Sequence, residues 1–133
     1  YKANRAPMPG DLAEQVPLVH EACEAMGVPN ITAEGFEADD VIGTLAVQAR
    51  NAGFDVAVVT GDKDFFQLVG ERLRVYNPKD DGTWYDAQGV AERWGVKPEQ
   101  VVDILALMGD SVDNIKGVPG IGEKGARELI ATH

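Results

Sequence analysis

The chain has 133 residues, a 44% apolar share and a formal charge of −10, which suits one ordinary domain with a real core and excludes a disordered or low-complexity protein. No apolar run is long enough to cross a bilayer and no signal peptide is visible, so no membrane partner is expected. The acidity argues against a nucleic-acid partner on the whole-chain average, and the single Cys23 rules out an internal disulfide and fits a reducing compartment.

Tyr1 to Arg5 is a short basic start, and Tyr1 in place of an initiator Met reads as a fragment or a processed product. Pro7, Pro9 and Gly10 break the chain. A helical period then runs from Asp11 to Met26 through Leu12, Val16, Val19, Cys23 and Met26, with Asp11 as N-cap and Gly27 as stop. Pro17 inside it would kink or divide the helix, and Cys23 falls on the core side. Ile31 to Ala33 suggests a short strand. Ala38 to Asn51 is a second helix, with Val41, Ile42, Leu45, Ala46 and Ala49 on one side. Asp55 to Thr60 is an apolar, β-branched run that predicts a strand covered on both faces, as in a parallel sheet. Gly61 turns the chain into a short helix, Lys63 to Val69. Leu73 to Tyr76 and Thr83 to Tyr85 are strands, and Asp80-Asp81-Gly82 between them predicts a hairpin. Asp86 to Trp94 and Pro98 to Met108 are helical, with Pro98 at a first helical position. A glycine-rich turn and a last helix end the chain. The alternation predicts a three-layer α/β/α core followed by a helical segment from about Asp86.

Seven carboxylates fall in three clusters at element ends: Glu37, Asp39 and Asp40; Asp62 and Asp64; Asp110 and Asp113. Setting them aside reduces the formal charge from −10 to −3, so the average charge is a poor guide to partners. Asp62 follows a strand directly, where open parallel sheets gather functional groups. Glu37 and Asp40 share a helix face, and Asp39 is rotated about 100° from Asp40. Each cluster has an innocent reading: helix capping for the first, turn residues for the others. Together they point to hard oxygen ligands for magnesium or manganese, with no Cys or His among them. Two such ions about 4 Å apart would serve an in-line phosphoryl displacement.

G-V-P-G-I-G-E-K, from Gly117 to Lys124, is the second motif. Its glycines expose backbone N–H groups beside a helix start, which can hold a phosphate without reading sequence. Lys124 and Arg127 add charge on the same helix. The bland alternative is a helix–helix turn without ligand; the Walker spacing is absent. Trp84 and Trp94 suit packing more than base stacking. His20 and His133 lack metal-ligand spacing.

These segments resemble the 5′ nuclease domain at the N-terminus of bacterial DNA polymerase I, a family related to flap endonucleases. The resemblance rests on Y-K-A-N-R at Tyr1–Arg5, E-A-D-D-V-I-G-T-L-A at Glu37–Ala46, V-V-T-G-D-K-D-F at Val58–Phe65, L-A-L-M-G-D-S-V-D-N-I at Leu105–Ile115 and G-V-P-G-I-G-E-K. It implies a PIN-like core over residues 1–86 and a helix-hairpin-helix (helix-three-turn-helix) DNA-binding segment over 87–133. It also implies structure-specific 5′-3′ exonuclease and flap endonuclease action on 5′-flap, nicked or branched DNA, with two Mg²⁺ or Mn²⁺ ions held by the seven acids. Lys2 and Arg5 match basic arch residues near the scissile phosphate. Gly117, Val118, Gly120, Ile121, Gly122, Lys124 and Arg127 match the segment that grips duplex, with K⁺ as a candidate on its carbonyls. A polymerase domain in the parent chain and a bacterial cytoplasmic, nucleoid-associated location are further expectations. Two more metal-site aspartates of the family would lie upstream of Tyr1, with the first strand and most of the arch. The 133 residues alone are therefore expected to cut weakly or undetectably, to have low thermal stability and to keep residual duplex binding through Gly117–Lys124. The alternatives are a non-catalytic duplex-binding fragment and another PIN-like ribonuclease, against which the appended hairpin argues.

Overall fold

The computed structural model describes residues 6–133. Helix α1 spans Gly10–Ala25 and runs through Pro17 without a break. None of its residues is buried; Leu12, Leu18 and Val19 are exposed and Cys23 is only half-buried. The helical period is real, but no described element covers its apolar side, so Cys23 is not a core residue. The strand expected at Ile31–Ala33 does not form: this stretch is irregular and Ile31 is exposed.

Helix α2 occupies Ala38–Asn51, as its period predicts. Glu37 is its N-cap, and the Glu37 backbone N–H donates to Asp40 Oδ2 at 2.9 Å. That bond satisfies a donor at the helix entry. Gly53, at φ 89°, then admits a turn that Cβ-bearing residues avoid. Ala46 is buried while Ile42 and Leu45 remain exposed.

Strands β1 (Val56–Val59), β2 (Leu73–Asn77) and β3 (Thr83–Tyr85) form one sheet in that order. β1 and β2 are parallel; β2 and β3 form the expected antiparallel hairpin. Asp81 and Gly82 both take positive φ in its turn, as hairpin twist favours. Val58, Val75 and Tyr85 align across the sheet and are all buried. On the other face Ala57, Val59 and Trp84 are exposed. β1 is therefore covered on one side among the described residues, not both. An apolar run reports a strand but not how many neighbours it has.

The inner face packs on a 3₁₀ turn, Lys63–Leu68, whose Phe65 and Phe66 are buried. Phe66 meets Tyr85 and Trp94 with ring centroids 4.7 and 6.5 Å apart, contacts that add to burial energies of about 2 kcal/mol per large apolar side chain. Helix α3 (Ala87–Trp94) is capped by Asp86, which accepts from the Gly89 N–H at 2.8 Å, and stopped by left-handed Gly95. A 3₁₀ turn at Pro98–Gln100 leads into α4 (Val101–Met108). Two short strands that the sequence reading did not anticipate, β4 (Gly109–Asp110) and β5 (Ile115–Lys116), form an antiparallel ribbon before α5 (Glu123–Thr132). Val90, Val101, Ile104 and Ala126 of the helical part share one buried cluster with Val58, Leu73 and Val75 of the sheet. Among the described residues no helix is long and apolar enough to cross a membrane.

Candidate metal centre

The end of β1 delivers the first acids. Asp62 caps the following 3₁₀ turn: its Oδ1 accepts from the Asp64 N–H at 3.0 Å, and its own N–H donates to Thr60 Oγ1 at 3.0 Å. This local ring fixes the backbone between two carboxylates that would otherwise separate. The ribbon delivers the second pair. Asp110 Oδ1 accepts from the N–H groups of Val112, at 2.8 Å, and Asp113, at 3.3 Å. The D-x-x-D spacing is thus a turn closed by its own first acid.

The ribbon is pinned by two glycines. A Cβ on Gly109, which sits at φ 78°, would lie 2.3 Å from the Gly117 nitrogen; one on Gly117 would lie 2.3 Å from the Met108 carbonyl carbon. The two backbones cross where no side chain fits. The Val118 N–H donates to the Leu107 carbonyl at 2.9 Å beside this crossing.

Asp64, Asp110 and Asp113 converge: one carboxylate oxygen from each lies within 4.8 Å of the others. At an effective dielectric of about 20, each such pair of charges repels by about 3.5 kcal/mol. Asp113 is 9% exposed, so water screens it little. Lys63 answers part of the charge. Its ammonium donates to the Asp110 carboxylate and lies 3.7 Å from Asp64 Oδ1. Burial pulls the Lys63 pKa down, but the Asp110 hydrogen bond and the charges of Asp64, Asp110 and Asp62 outweigh it, so the net shift is upward. The Lys63 hydrogen bond and the two backbone donors hold the Asp110 carboxyl below its usual range despite burial. Asp64 goes the other way: burial, then the charge of Asp62, push it up against the pull of Lys63. Asp64 Oδ1 is buried without a hydrogen-bond donor. A buried, under-satisfied carboxylate oxygen between two more carboxylates fits a hard divalent cation, which prefers all-oxygen ligands.

The remaining sequence-predicted acids stand around this cluster. Asp39 and Asp62 line the same cleft of about 400 Å³ as Asp110 and Asp113. Glu37 and Asp40 line a neighbouring groove of about 680 Å³ between α2 and the 3₁₀ turn, which Asp39 and Asp64 also border. The α2 acids thus face the cluster across a groove, and Asp40 doubles as part of the helix cap. Lys2 and Arg5 lie outside the described residues.

The glycine-rich hairpin follows β5. Gly117 is enclosed by backbone, whereas Gly120 and Gly122 are open to solvent. Half-buried Ile121 packs against the core cluster, its N–H bonded to the Val118 carbonyl at 3.0 Å. Gly122 caps α5. Lys124 is 92% exposed with Glu128 at 4.0 Å. Arg127 is engaged: it donates to Glu123 and, at 3.3 Å, to the Arg93 carbonyl, and its stem lies over Gly95. Lys63 was missed as a site residue. Its signal was its place between Asp62 and Asp64, the one cation inside an acidic motif.

A family model described as the 5′-3′ exonuclease N-terminal resolvase-like domain matches residues 1–95, and one described as the 5′-3′ exonuclease C-terminal SAM fold matches residues 96–133. The chain is 50% identical over 131 residues to a thermostable DNA polymerase I of Thermus filiformis and 52% identical over 130 residues to DNA polymerase I of Pseudomonas aeruginosa. Each match covers 98% of this chain but only 16% and 14% of the relative. A complex of the bacteriophage T5 flap endonuclease with DNA and metal ions aligns with a TM-score of 0.80 at 27% identity, over 98% of this chain and 49% of that one.

Proposed function

The chain belongs to the 5′-3′ exonuclease family, and from that premise we propose that it hydrolyses DNA phosphodiesters from the 5′ end of flapped, nicked or branched duplex. The observation that carries this reading is the convergence of Asp64, Asp110 and Asp113, with a buried Asp64 oxygen lacking a donor. These three residues would hold one Mg²⁺ or Mn²⁺, and Asp39, Asp62, Glu37 and Asp40 would take part in holding a second. When bound, such ions activate water and stabilise the leaving oxygen.

The chain's own groups supply the rest. Lys63 holds Asp110 and Asp64 together and would yield Asp110 to a bound cation. The Asp62 cap and the Asp110 turn fix the carboxylates on backbone, so little reorganisation is needed. The 118–122 turn and the exposed Lys124 would grip duplex phosphates without reading sequence, with K⁺ on turn carbonyls as part of the same proposal. An attached polymerase domain, DNA replication and repair as the setting, and a bacterial cytoplasmic, nucleoid-associated location are parts of the same proposal.

The test is cleavage of a 5′-flap duplex with Mg²⁺ and with excess EDTA, for the wild type and Asp64→Asn. Loss of cleavage by orders of magnitude in EDTA and in the variant is expected. Undiminished cleavage in EDTA overturns the reading, and preference for an RNA substrate without a 5′ end would favour a PIN-like ribonuclease.

A further inference from the structure

Two lysines line the acidic cleft beside Asp62, Asp110 and Asp113, and they are not equivalent. Lys63 is committed to Asp110 and Asp64. Lys79 comes from the turn between β2 and β3. Its backbone N–H donates to Asn77 Oδ1 at 3.0 Å, which fixes the turn beneath it. Its stem runs over Gly61: a Cβ there would meet Lys79 Cδ at 3.0 Å and Cε at 3.5 Å. Gly61 immediately precedes Asp62, so the stem is laid across the end of β1 toward the acids. Yet the Lys79 ammonium has no hydrogen-bond or ion-pair partner among the described residues. In a chain of formal charge −10, a cation at an acid-lined cleft without a carboxylate of its own is available to an incoming anion.

We propose that Lys79 binds a backbone phosphate next to the scissile one, so that the β2–β3 turn is a substrate-positioning element of this cleft. The inference rests on the proposed nuclease reading. The physical argument is one of charge and reach. Cations held by the acids would serve the scissile phosphate, while its neighbours on the strand keep their own negative charge. Those neighbours would otherwise face carboxylates. Lysine suits this role, because a compact charge with three donors on a flexible stem tolerates any base and any phosphate orientation. Resting the stem on Gly61 limits the volume the ammonium must search, which lowers the cost of ordering it.

The experiment measures binding of a 5′-flap duplex to the protein with Ca²⁺ in place of Mg²⁺, across a salt series, for the wild type, Lys79→Ala and Lys79→Arg. Lys79→Ala should weaken binding about tenfold at 0.1 M salt and lower the log–log salt slope by about one, as loss of a single phosphate contact requires. Lys79→Arg should restore most of both. A methylphosphonate is then placed singly at each phosphate within two nucleotides of the cleavage position. At one position the Lys79→Ala penalty should disappear, as for two halves of one contact. A general destabilisation would not produce that cancellation. The inference is overturned if Lys79→Ala leaves the salt slope unchanged, if no position cancels its penalty, or if its only effect is tighter Mn²⁺ binding. The last result would make Lys79 a mere counter-charge to the acids. Mg²⁺-dependent cleavage by the wild type, measured on the same preparation, separates the two levels. If the wild type neither cleaves nor binds the flap duplex, both readings fall; if it binds and Lys79→Ala binds equally well, only this one does.

Discussion

Replacing Gly117 by Ala tests the backbone crossing that carries Asp110 into the site. The new methyl would stand 2.3 Å from the Met108 carbonyl carbon and 2.4 Å from its oxygen. Carbon atoms in contact rest about 3.5 to 4.0 Å apart, so the two backbones must part by more than about 1 Å. Neither partner is a side chain that can swing aside. Parting them breaks the pairing of Gly109 with Lys116 and of Asp110 with Ile115, and the bond from Val118 to Leu107. At about 1 kcal/mol for each hydrogen bond lost, the cost is about 2 to 4 kcal/mol. Urea denaturation should show that loss as a lower midpoint at unchanged slope. Terbium or manganese titration should show weakened cation binding, because Asp110 and Asp113 leave Asp64. Gly10→Ala is the control, since nothing lies within 4 Å of its Cβ position and its backbone is outside the left-handed region; it should not lower the midpoint. A Gly117→Ala protein with the wild-type midpoint and cation affinity would refute the argument that this crossing positions the acids.

Neighbouring acids should respond oppositely without metal. The Asp64 pKa is raised in the fold, so its ionised form opposes folding above that pKa and the penalty fades as pH falls through it. Asp64→Asn should therefore raise the urea midpoint at pH 7, with the gain vanishing below about pH 4, near the ordinary carboxylate value. Asp110 is the reverse: its depressed pKa gives stability present above the ordinary carboxylate value and lost as pH falls through the folded one. Asp110→Asn should lower the midpoint at pH 7, and a stabilised protein would contradict the Lys63 pairing. Lys63→Met should leave the fold's circular dichroism intact but spread the acids, so that cation binding weakens at low concentration; unchanged affinity would show that Lys63 does not gather them. Lys124→Ala should weaken duplex binding about equally across sequences and reduce the salt slope by about one, and a sequence-selective loss would argue against phosphate contact.

The sequence made some of this plain and hid the rest for physical reasons. Helix α2 was legible because a 3.6-residue period and acids at the entry both mark it. The hairpin was legible because Asp81-Gly82 suits two positive φ values. Helix α1 was legible as a helix but not as an exposed one, since periodicity names an apolar side without naming what covers it. The same limit explains β1, whose residues alternate between core and surface although all four are apolar. The acids were found by their clustering, yet their relative closeness was not. The chain order cannot tell that Asp64 meets Asp110 and Asp113 while Asp40 spends an oxygen on the α2 cap. The β4–β5 ribbon is hidden because two-residue strands have no period to read; Gly109, which opens it, and Gly117, which follows it, are the available sign. Gly117 opens the glycine-rich hairpin, and in the fold it makes close backbone contact with Met108 and Gly109.

The distance in sequence between Lys63 and Asp110, 47 residues, sets an order of assembly. The three strands of the main sheet lie within residues 56–85, and local contacts close faster than distant ones. Circular dichroism should therefore recover before the ability to bind terbium during refolding. The same order applies during synthesis. A nascent chain can carry α2, β1 and the acids from Glu37 to Asp64 outside the ribosome and still lack the place for a cation between Asp64, Asp110 and Asp113. That place comes into being only once the 109–117 ribbon has cleared the exit tunnel and closed on Lys63.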